Sequence, residues 1–275
     1  MLNGLLAVVN RGGQGIGQGI AEHLASEGAS LALMGRTAKS LRKRRRSGGR
    51  FSPSGSVSDE ADVERVLSEI GTRHGKMDVL VNNAGRIPRC EIRKVAGGDR
   101  TDLNGTFLMT QRAARRMKDT GGGAVINIAS IDANGWDGPQ SSYVAAKAAV
   151  VGFTKNAAKD LAAHNIRVNS VSPGWTHTKM IEEFVSAEAL NYMLTRFERV
   201  PMRRLVKIKE VAEAVGFLAS AGRQASPASM CQSTAEHLRR CTYTNRCLAE
   251  SAVQILMKRI ARQLDFNHAK HEVLH

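Results

Sequence analysis

The chain has 275 residues, of which 42% are hydrophobic, and this is enough to bury one substantial core in a globular protein. No apolar run approaches the roughly 18 residues of a membrane span, and the start of the chain lacks the basic residues and cleavage site of a secretory signal, so we exclude a membrane protein and expect a cytoplasmic one. The formal net charge of +15 is unusual for an enzyme of small molecules and by itself favours nucleic acid or an anionic surface as a partner.

Apolar runs typical of buried strands alternate with helical patterns along residues 5–220. The stretch at 50–56 is an exception, because it contains Pro53 and small polar residues and does not have a convincing strand pattern. Alternation of this kind predicts an α/β fold with a parallel sheet. We predict strands at 5–9, 30–34, 79–81, 124–129 and 165–171, and helices at 16–27, 59–74, from 106 onward, at 143–164 and at 211–220.

A glycine-rich turn follows the first strand and leads into the first helix. Glycines let the backbone approach a pyrophosphate, and the free N–H groups at a helix start attract the anion. Gly15, Ile16 and Gly17 are therefore candidate cofactor contacts, and Gly12 is a further one if it supplies the first glycine of the turn. Arg11 could either clash with a bound phosphate or reach it. A purely structural turn is the alternative, since such turns are common.

Arg36 lies at the end of the second predicted strand. An acidic residue near this point would bind the ribose 2′-hydroxyl of NAD, whereas an arginine suits the 2′-phosphate of NADP. We therefore predict NADP as the cofactor, with NAD possible. The alternative is that Arg36 is a solvated charge at a strand end.

Tyr143 and Lys147 are four residues apart in a predicted helix, so their side chains should share one face. An ammonium near a phenol favours the phenolate and lowers its pKa from about 10, which would let Tyr143 exchange a proton with an alcohol or a carbonyl. Ser130 follows a buried strand, at the end of the sheet where open α/β folds place their sites. Taken alone, the spacing is more typical of a surface tyrosine beside a solvated lysine.

Five stretches in this order resemble the short-chain dehydrogenase/reductase family: Asn10 to Gly17, Asn82 to Gly85, Ser130, Tyr143 with Lys147, and Pro173-Gly174 through Thr178. The resemblance covers most of residues 5–220. It implies a doubly wound, Rossmann-like parallel sheet of six or seven strands, in a single three-layer α/β/α domain that we place at residues 1–221. It also implies a homo-oligomer, either a tetramer or a dimer.

The resemblance also implies an NAD(P)-dependent oxidoreductase that transfers hydride between nicotinamide and a small-molecule secondary alcohol or ketone. In this scheme Tyr143 transfers the proton, Lys147 lowers its pKa and holds the ribose, and Ser130 orients the substrate oxygen. Thr178 would bind the nicotinamide carboxamide. The other cofactor contacts that the resemblance implies are Asn83, Ala84, Gly85, Pro173 and Gly174.

Some residues in these stretches depart from the family pattern. Asn10 and Arg11 replace the Thr and the first Gly of the turn. Asp102 stands where an Asn usually helps to hold a proton-relay water, and we expect it to keep the local bend but to place a negative charge near Lys147. Asn104 could take this role if the register slips.

The substrate side is predicted to include the loop at 131–140 and a mobile lid at 179–200. In the loop, Trp136 is the side chain that should touch the substrate, although it could equally fill packing space. In the lid, the same spacing describes either a substrate wall or an ordinary packed helix face. The candidate wall residues are Met180, Phe184, Tyr192 and Met193.

Three basic segments lack the family pattern: 37–56, 86–100 and 222–275. They contain most of the excess charge, including seven Lys or Arg and no acid within 37–50, and all four cysteines. Our hypothesis is that they are frame-shifted or misread coding sequence within an ordinary enzyme. The alternative is a surface for nucleic acid or an acidic partner, but few aromatics accompany the charges, so we consider nucleic acid unlikely.

The segment 222–275 is predicted to be an atypical C-terminal addition, with an amphipathic helix at 250–264. Its cysteines and His237 match no zinc spacing, so we expect no metal and reduced thiols. A second hypothesis for the whole chain is a cofactor-binding or inert scaffold that has lost catalysis through its departures from the family pattern.

Overall fold

The computed structural model describes residues 2–36, 51–85, 100–134, 140–200 and 202–220. A π-helical turn at Arg100–Asn104 leads into the helix that follows it, and short 3₁₀ turns lie at Ile131–Asn134 and Ala162–His164. Within these ranges the strands and α-helices are β1 (Leu6–Asn10), α1 (Gly15–Ser26), β2 (Ser30–Met34), α2 (Glu60–His74), β3 (Val79–Asn82), α3 (Gly105–Asp119), β4 (Gly123–Ile128), α4 (Ser141–Leu161), β5 (Ile166–Val171), α5 (Lys179–Phe184), α6 (Ala187–Thr195) and α7 (Ile208–Ser220).

Several predictions fall on the remaining residues and therefore lie outside the described part of the chain. They concern the basic runs at 37–50 and 86–99, Trp136, the four cysteines with His237, and the C-terminal segment with its predicted helix. The domain boundary at 221 stays a prediction for the same reason.

The strands form one parallel sheet in the order β2-β1-β3-β4-β5. The chain places β2 on one side of β1 and then β3 on the other, so the carboxyl ends of β1 and β3 border a crevice. Open α/β sheets bind their ligands at such a change of direction. The predicted α/β fold is confirmed, although the described ranges contain five strands where six or seven were expected.

Helices cover both faces of the sheet. On one face α1 and α7 pack against each other, with α1 on β1 and β2 and α7 on β4 and β5. On the other face Val8, Leu80 and Val125 pack into one buried cluster with Val66 of α2 and Met109 of α3. Because side chains alternate along a strand, each strand supplies apolar residues to both layers. The three-layer α/β/α arrangement is thereby confirmed.

The boundaries of α2 follow from its sequence. The carboxylate of Asp59 accepts a hydrogen bond from the Asp62 N–H at 2.8 Å, which caps the free donors of the first turn. Gly75 ends the helix with φ 77°, a conformation that glycine adopts without steric cost. The helix predicted at 59–74 is therefore found at the expected place.

Residues 51–55 lie beside the outer edge of β2, where a further strand would pair. Phe51 exchanges two backbone hydrogen bonds with Leu31 and Leu33, at 3.2 and 2.9 Å. Only two isolated bridges form along this segment. Pro53 has no N–H to donate and cannot continue the ladder, so the pairing stays short, in agreement with the weak strand pattern.

A chain of buried amide and hydroxyl side chains crosses the sheet. Asn82 accepts a hydrogen bond from Asn10 at 2.9 Å, and donates to Asn127 at 2.9 Å and to Thr110 at 3.0 Å. Asn127 in turn donates to Thr154 at 2.9 Å. These bonds join β1, β3 and β4 to α3 and α4, and pair polar groups that would be costly to bury alone.

None of the helices in the described ranges combines the length and the apolar composition needed to cross a bilayer.

Candidate active site

A cavity of about 440 Å³ lies at the carboxyl ends of the strands, where the turns after β1, β3, β4 and β5 meet. The start of α4 and residues of α5 complete its wall. The structure brings ten of the predicted site residues together here, namely Gly15, Ile16, Asn83, Gly85, Ser130, Tyr143, Lys147, Pro173, Gly174 and Thr178.

The other four predicted cofactor residues do not line this cavity. Gly17 is a close-packing position, because a Cβ there would lie 2.3 Å from Asn83 Nδ2. Gly12 packs against β2, with a Cβ position 2.8 Å from Leu33 Cδ2. Ala84 is partly buried, and Arg36 is exposed at the end of β2.

The turn after β1 differs from the expectation that Gly12 replaces the missing first glycine. Arg11 itself adopts the left-handed conformation, with φ 49°, which is uncommon for a residue with a side chain. Gly15 also has positive φ, at 53°, and begins α1. The left-handed residue of the turn is thus Arg11, at the position of the family's first glycine, and the role of Gly12 as a cofactor contact stays a prediction.

The start of α1 is suited to an anion. The preceding residue, Gln14, makes no capping hydrogen bond with its side chain, so the helix has no side-chain cap for its first N–H groups. Arg11 also lines the cavity, and its guanidinium donates a hydrogen bond to the Gly85 carbonyl. Helical N–H groups without a cap from the Gln14 side chain, together with Gly15 and the cation of Arg11, fit the pyrophosphate of a dinucleotide.

Asn10 has a role that the sequence patterns did not reveal. Its Oδ1 accepts hydrogen bonds from the backbone N–H groups of Asn83 and Ala84, at 2.7 and 2.5 Å. The carboxamide therefore fixes the turn after β3 to the end of β1. The family's Thr at this position has a shorter side chain, so the substitution to Asn could be noticed in the sequence, but its partners could not.

Ser130, Tyr143 and Lys147 face the same part of the cavity. Tyr143 lies in the first turn of α4, and Lys147 Nζ lies 5.6 Å from the centre of its ring. Ser130 Oγ, at the end of β4, donates a hydrogen bond to Asp132 at 3.1 Å and interacts with the Tyr143 hydroxyl. Asp132 was not predicted as a site residue; it is held by its own N–H, which donates to Ser130 Oγ at 3.2 Å.

Lys147 forms a buried ion pair with Asp102. Its Nζ lies 2.9 Å from Asp102 Oδ1 and also donates to the Ile128 carbonyl at 2.9 Å. The two side chains are 5% and 0% exposed. Asp102 is buried in the π-helical turn, whereas Asn104 is exposed. Asp102 therefore occupies the position of the family's Asn, and the alternative register, with Asn104 at that position, is wrong.

The pKa of Tyr143 is raised to about 12, chiefly because the phenol is buried. The hydrogen bond with Ser130 acts in the opposite direction, while the negative charges of Asp102 and Asp132 raise the pKa further. We expected Lys147 to lower this pKa, and for the site as it stands that expectation is wrong. Tyr143 therefore carries its proton at neutral pH.

The predicted lid is divided between the cavity and a separate packed cluster. Met180 lines the cavity, whereas Met193 is buried in a small cluster with Phe197. Tyr192 packs edge-on against the Phe197 ring at 6.1 Å. Met193 and Tyr192 thus form part of a packed helix face, the alternative considered above. The side chain of Phe184 lies outside the described residues.

Trp175 is a wall residue that was not predicted, whereas Gln140 ends the loop at 131–140 that was predicted to lie on the substrate side. Trp175 lines the cavity and packs edge-on against Phe197 at 5.8 Å, which connects the lid to the site. Gln140 also lines the cavity and is buried just before α4. Trp175 lies within the Pro173–Thr178 motif, so its position could have been recognised from the sequence.

Comparisons with known proteins find similar sequences and structures over most of the chain. The family model described as enoyl-(acyl carrier protein) reductase matches residues 12–229. The 3-oxoacyl-[acyl-carrier-protein] reductase of Staphylococcus aureus is 33% identical over 225 residues, which cover 78% of this chain and 90% of that protein.

Two solved structures show comparable similarity. The 3-ketoacyl-(acyl-carrier-protein) reductase from Brucella melitensis, complexed with NADH, has a TM-score of 0.74 and 27% identity, and the match covers 82% of this chain and 96% of that one. The gluconate 5-dehydrogenase from Burkholderia cenocepacia, in complex with NADP and tartrate, has a TM-score of 0.73 and 29% identity, covering 83% and 90%. The chain therefore belongs to the short-chain dehydrogenase/reductase family and is a nicotinamide-dependent oxidoreductase of alcohol and carbonyl groups.

Proposed function

We propose that this chain interconverts a small secondary alcohol and the corresponding ketone, with NADP as the cofactor and Tyr143 as the proton-transfer residue. The observation that carries the proposal is the meeting of Tyr143, Ser130 and Lys147 with the glycine-rich turn around one cavity. A nucleotide held by the turn would place its reactive ring toward these three side chains, as the resemblance implies.

The chain's own groups supply orientation and the proton. A bound reduced nicotinamide would supply the hydride to the carbonyl carbon. Ser130 orients the carbonyl oxygen, and Tyr143 donates its proton to that oxygen as negative charge develops there. Lys147 holds the ribose, and Thr178 binds the carboxamide. Trp175 and Met180 form an apolar part of the substrate wall.

The proposed preference for NADP rests on Arg36, the exposed cation at the end of β2. A guanidinium there can pair with the 2′-phosphate, and no other group of NADP distinguishes it from NAD. Replacing Arg36 by Glu is expected to weaken NADPH binding by about tenfold or more, because it exchanges an attraction for a repulsion. NADH binding should change much less. Nicotinamide fluorescence titration measures both affinities.

Arg115→Glu is the matched control, since Arg115 is exposed on α3, does not line the cavity, and undergoes the same change of charge. It should leave both affinities within about twofold at moderate salt, where distant exposed charges are screened. Equal loss of NADPH and NADH binding in Arg36→Glu would contradict a 2′-phosphate contact. Failure of the unmodified chain to bind either cofactor would instead favour the inert scaffold.

We also propose a homo-oligomer. Phe107 of α3 is 45% exposed and contacts the partly buried Phe153 of α4, with ring centres 5.6 Å apart. An exposed aromatic pair on neighbouring helices is suited to burial against a second copy. Sedimentation velocity at several concentrations tests this proposal, and a monomer at all of them would contradict it.

Two sequence predictions remain to be tested by other means. Cell fractionation tests the cytoplasmic location. Peptide mapping of the native protein by mass spectrometry tests the misread-sequence hypothesis, which fails if peptides through 42–50 are recovered as printed.

A further inference from the structure

We infer that Asp102 is a positioning residue that neutralises Lys147, so that Tyr143 is kept as a neutral proton donor and the chain acts as a carbonyl reductase near neutral pH. This inference rests on the proposed function and adds its preferred direction. It also assigns a role to a residue that departs from the family pattern.

The geometry places Lys147 in a direct ion pair with Asp102. Lys147 Nζ is 2.9 Å from the Asp102 carboxylate but 5.6 Å from the centre of the Tyr143 ring. Both partners of the ion pair are almost fully buried, so water does little to weaken the attraction between them. The negative charge of Asp102 therefore opposes the effect of the Lys147 charge on the Tyr143 phenol.

The backbone around Asp102 holds it in this position. Its carbonyl accepts a hydrogen bond from Thr106 Oγ1 at 2.6 Å, which fixes the π-helical turn to the start of α3. Gly85 approaches the pair from the opposite side, where a Cβ would lie 2.8 Å from Asp102 Oδ1 and 3.1 Å from Lys147 Nζ. The pair therefore occupies a closely bounded space in which Lys147 has little freedom to turn away.

Within the described part of the chain, the other charges around the cavity do not place a second cation beside the Tyr143 phenol. Asp132 lies beside Ser130 and adds a second negative charge that opposes ionisation of the phenol. Arg11 lies toward the glycine-rich turn and donates to the Gly85 carbonyl. Among the described residues, the charged side chains that line the cavity are Arg11, Asp132, Lys147, Lys179 and Glu183, with Asp102 paired to Lys147.

The two directions of the reaction need opposite forms of Tyr143. In reduction, a bound reduced nicotinamide would give up a hydride to form the new C–H bond and would itself be oxidised. The carbonyl π pair moves onto oxygen, and the Tyr143 O–H bond breaks as its proton forms the product hydroxyl. The phenolate then regains a proton from water. In oxidation, the phenolate must be present first to accept the alcohol proton. A phenol that keeps its proton at neutral pH serves reduction there, and oxidation rises only toward alkaline pH.

The direct test is a titration of Tyr143 in the protein without cofactor. The chain has three tyrosines, so ¹⁹F NMR of protein containing fluorotyrosine can follow each one, with Tyr143→Phe providing the assignment. Fluorination lowers the intrinsic pKa and brings the titration into the range where the protein is folded. In Asp102→Asn, the isosteric amide removes the negative charge, and the titration of Tyr143 should move down by about one unit or more.

The pH dependence of kcat/KM provides a second reading. In the unmodified enzyme, oxidation should rise steadily with pH across the folded range, whereas in Asp102→Asn it should reach its plateau at lower pH. A purely structural role for Asp102 would lower activity or stability in the variant without moving either pH profile. An unchanged Tyr143 titration in folded Asp102→Asn therefore overturns the inference.

A double variant keeps the inference testable if Asp102→Asn does not fold. Asp102→Asn with Lys147→Met removes both charges and leaves no unpaired ion in the interior. If the two charges of the pair offset each other at Tyr143, the pKa of Tyr143 in the double variant should stay within about half a unit of its value in the unmodified chain. A nearby uncompensated charge would shift it by about one unit or more. A rise of more than one unit would mean that Lys147 acts on Tyr143 despite Asp102. The titration requires no cofactor, so its failure is distinguishable from failure of the proposed oxidoreductase activity.

Discussion

Tyr143→Phe is expected to lower turnover by about 10²- to 10⁴-fold, because the variant keeps the ring but loses the proton that reaches the substrate oxygen. Cofactor affinity should change little, since the glycine-rich turn lies at the other end of the cavity. Steady-state assays of nicotinamide absorbance with a panel of ketones and alcohols measure turnover. Fluorescence titration measures cofactor binding separately.

Tyr192→Phe provides the matched control for the same chemical change. Tyr192 packs in the lid cluster, and its hydroxyl accepts a hydrogen bond from the Glu198 N–H at 3.3 Å. It does not line the cavity, so this variant should keep near-normal turnover. Substantial turnover in folded Tyr143→Phe would refute the assignment of the proton-transfer residue.

Asn82→Ala is expected to lower the free energy of unfolding by about 3 kcal/mol or more, because each buried polar group left without a partner costs about 1–3 kcal/mol. The substitution removes the partner of the Asn10 amide and of two acceptors, Asn127 Oδ1 and Thr110 Oγ1. It also loosens Asn10, which holds the turn after β3. Urea unfolding followed by circular dichroism measures the change.

Asn156→Ala is the control for losing an asparagine amide. Asn156 is exposed on α4, and its side chain donates only to the Gly152 carbonyl at 3.1 Å among the bonds described. Its removal should change stability by no more than about 0.5 kcal/mol. If the two variants unfold at the same urea concentration, the buried chain of amides does not stabilise the sheet as argued here.

The strands and the meeting of the site residues could be predicted from the sequence because both follow from local patterns. Each buried strand is a short apolar run, and the residue after each run lies at the same edge of a parallel sheet. Ser130, Asn83 and Pro173 follow three different strands and therefore lie near one another. The four-residue spacing of Tyr143 and Lys147 placed them on one face of α4.

The electrostatics of the site could not be predicted in the same way. That Asp102 would lie near Lys147 followed from the resemblance, but its 2.9 Å contact depends on the π-helical turn that precedes α3. The pKa of Tyr143 depends on how completely the ring is buried, which is a property of the assembled walls. The sign of its shift was therefore wrong in a prediction that considered the Tyr143–Lys147 spacing alone.

Backbone conformation was a second source of error. The sequence offered Gly12 as a replacement for the first glycine of the turn, but it did not indicate that Arg11 itself would adopt a left-handed conformation. The lid residues Tyr192 and Met193 have a spacing that fits either a cavity wall or a packed helix. Their contact with Phe197 shows that they belong to a packed helix. This is a tertiary contact, which the spacing of residues in the sequence does not reveal.

Gly85 joins the two halves of the site through one residue. Its carbonyl accepts the Arg11 hydrogen bond from the glycine-rich turn, while its Cα faces the Asp102–Lys147 pair on the other side. Gly85 therefore contacts both Arg11, in the turn suited to phosphate, and the Asp102–Lys147 pair, beside the proton-transfer residue Tyr143. A methyl group at this position would collide with two charged side chains, so we expect the uncharged substitution Gly85→Ala to displace the Asp102–Lys147 pair.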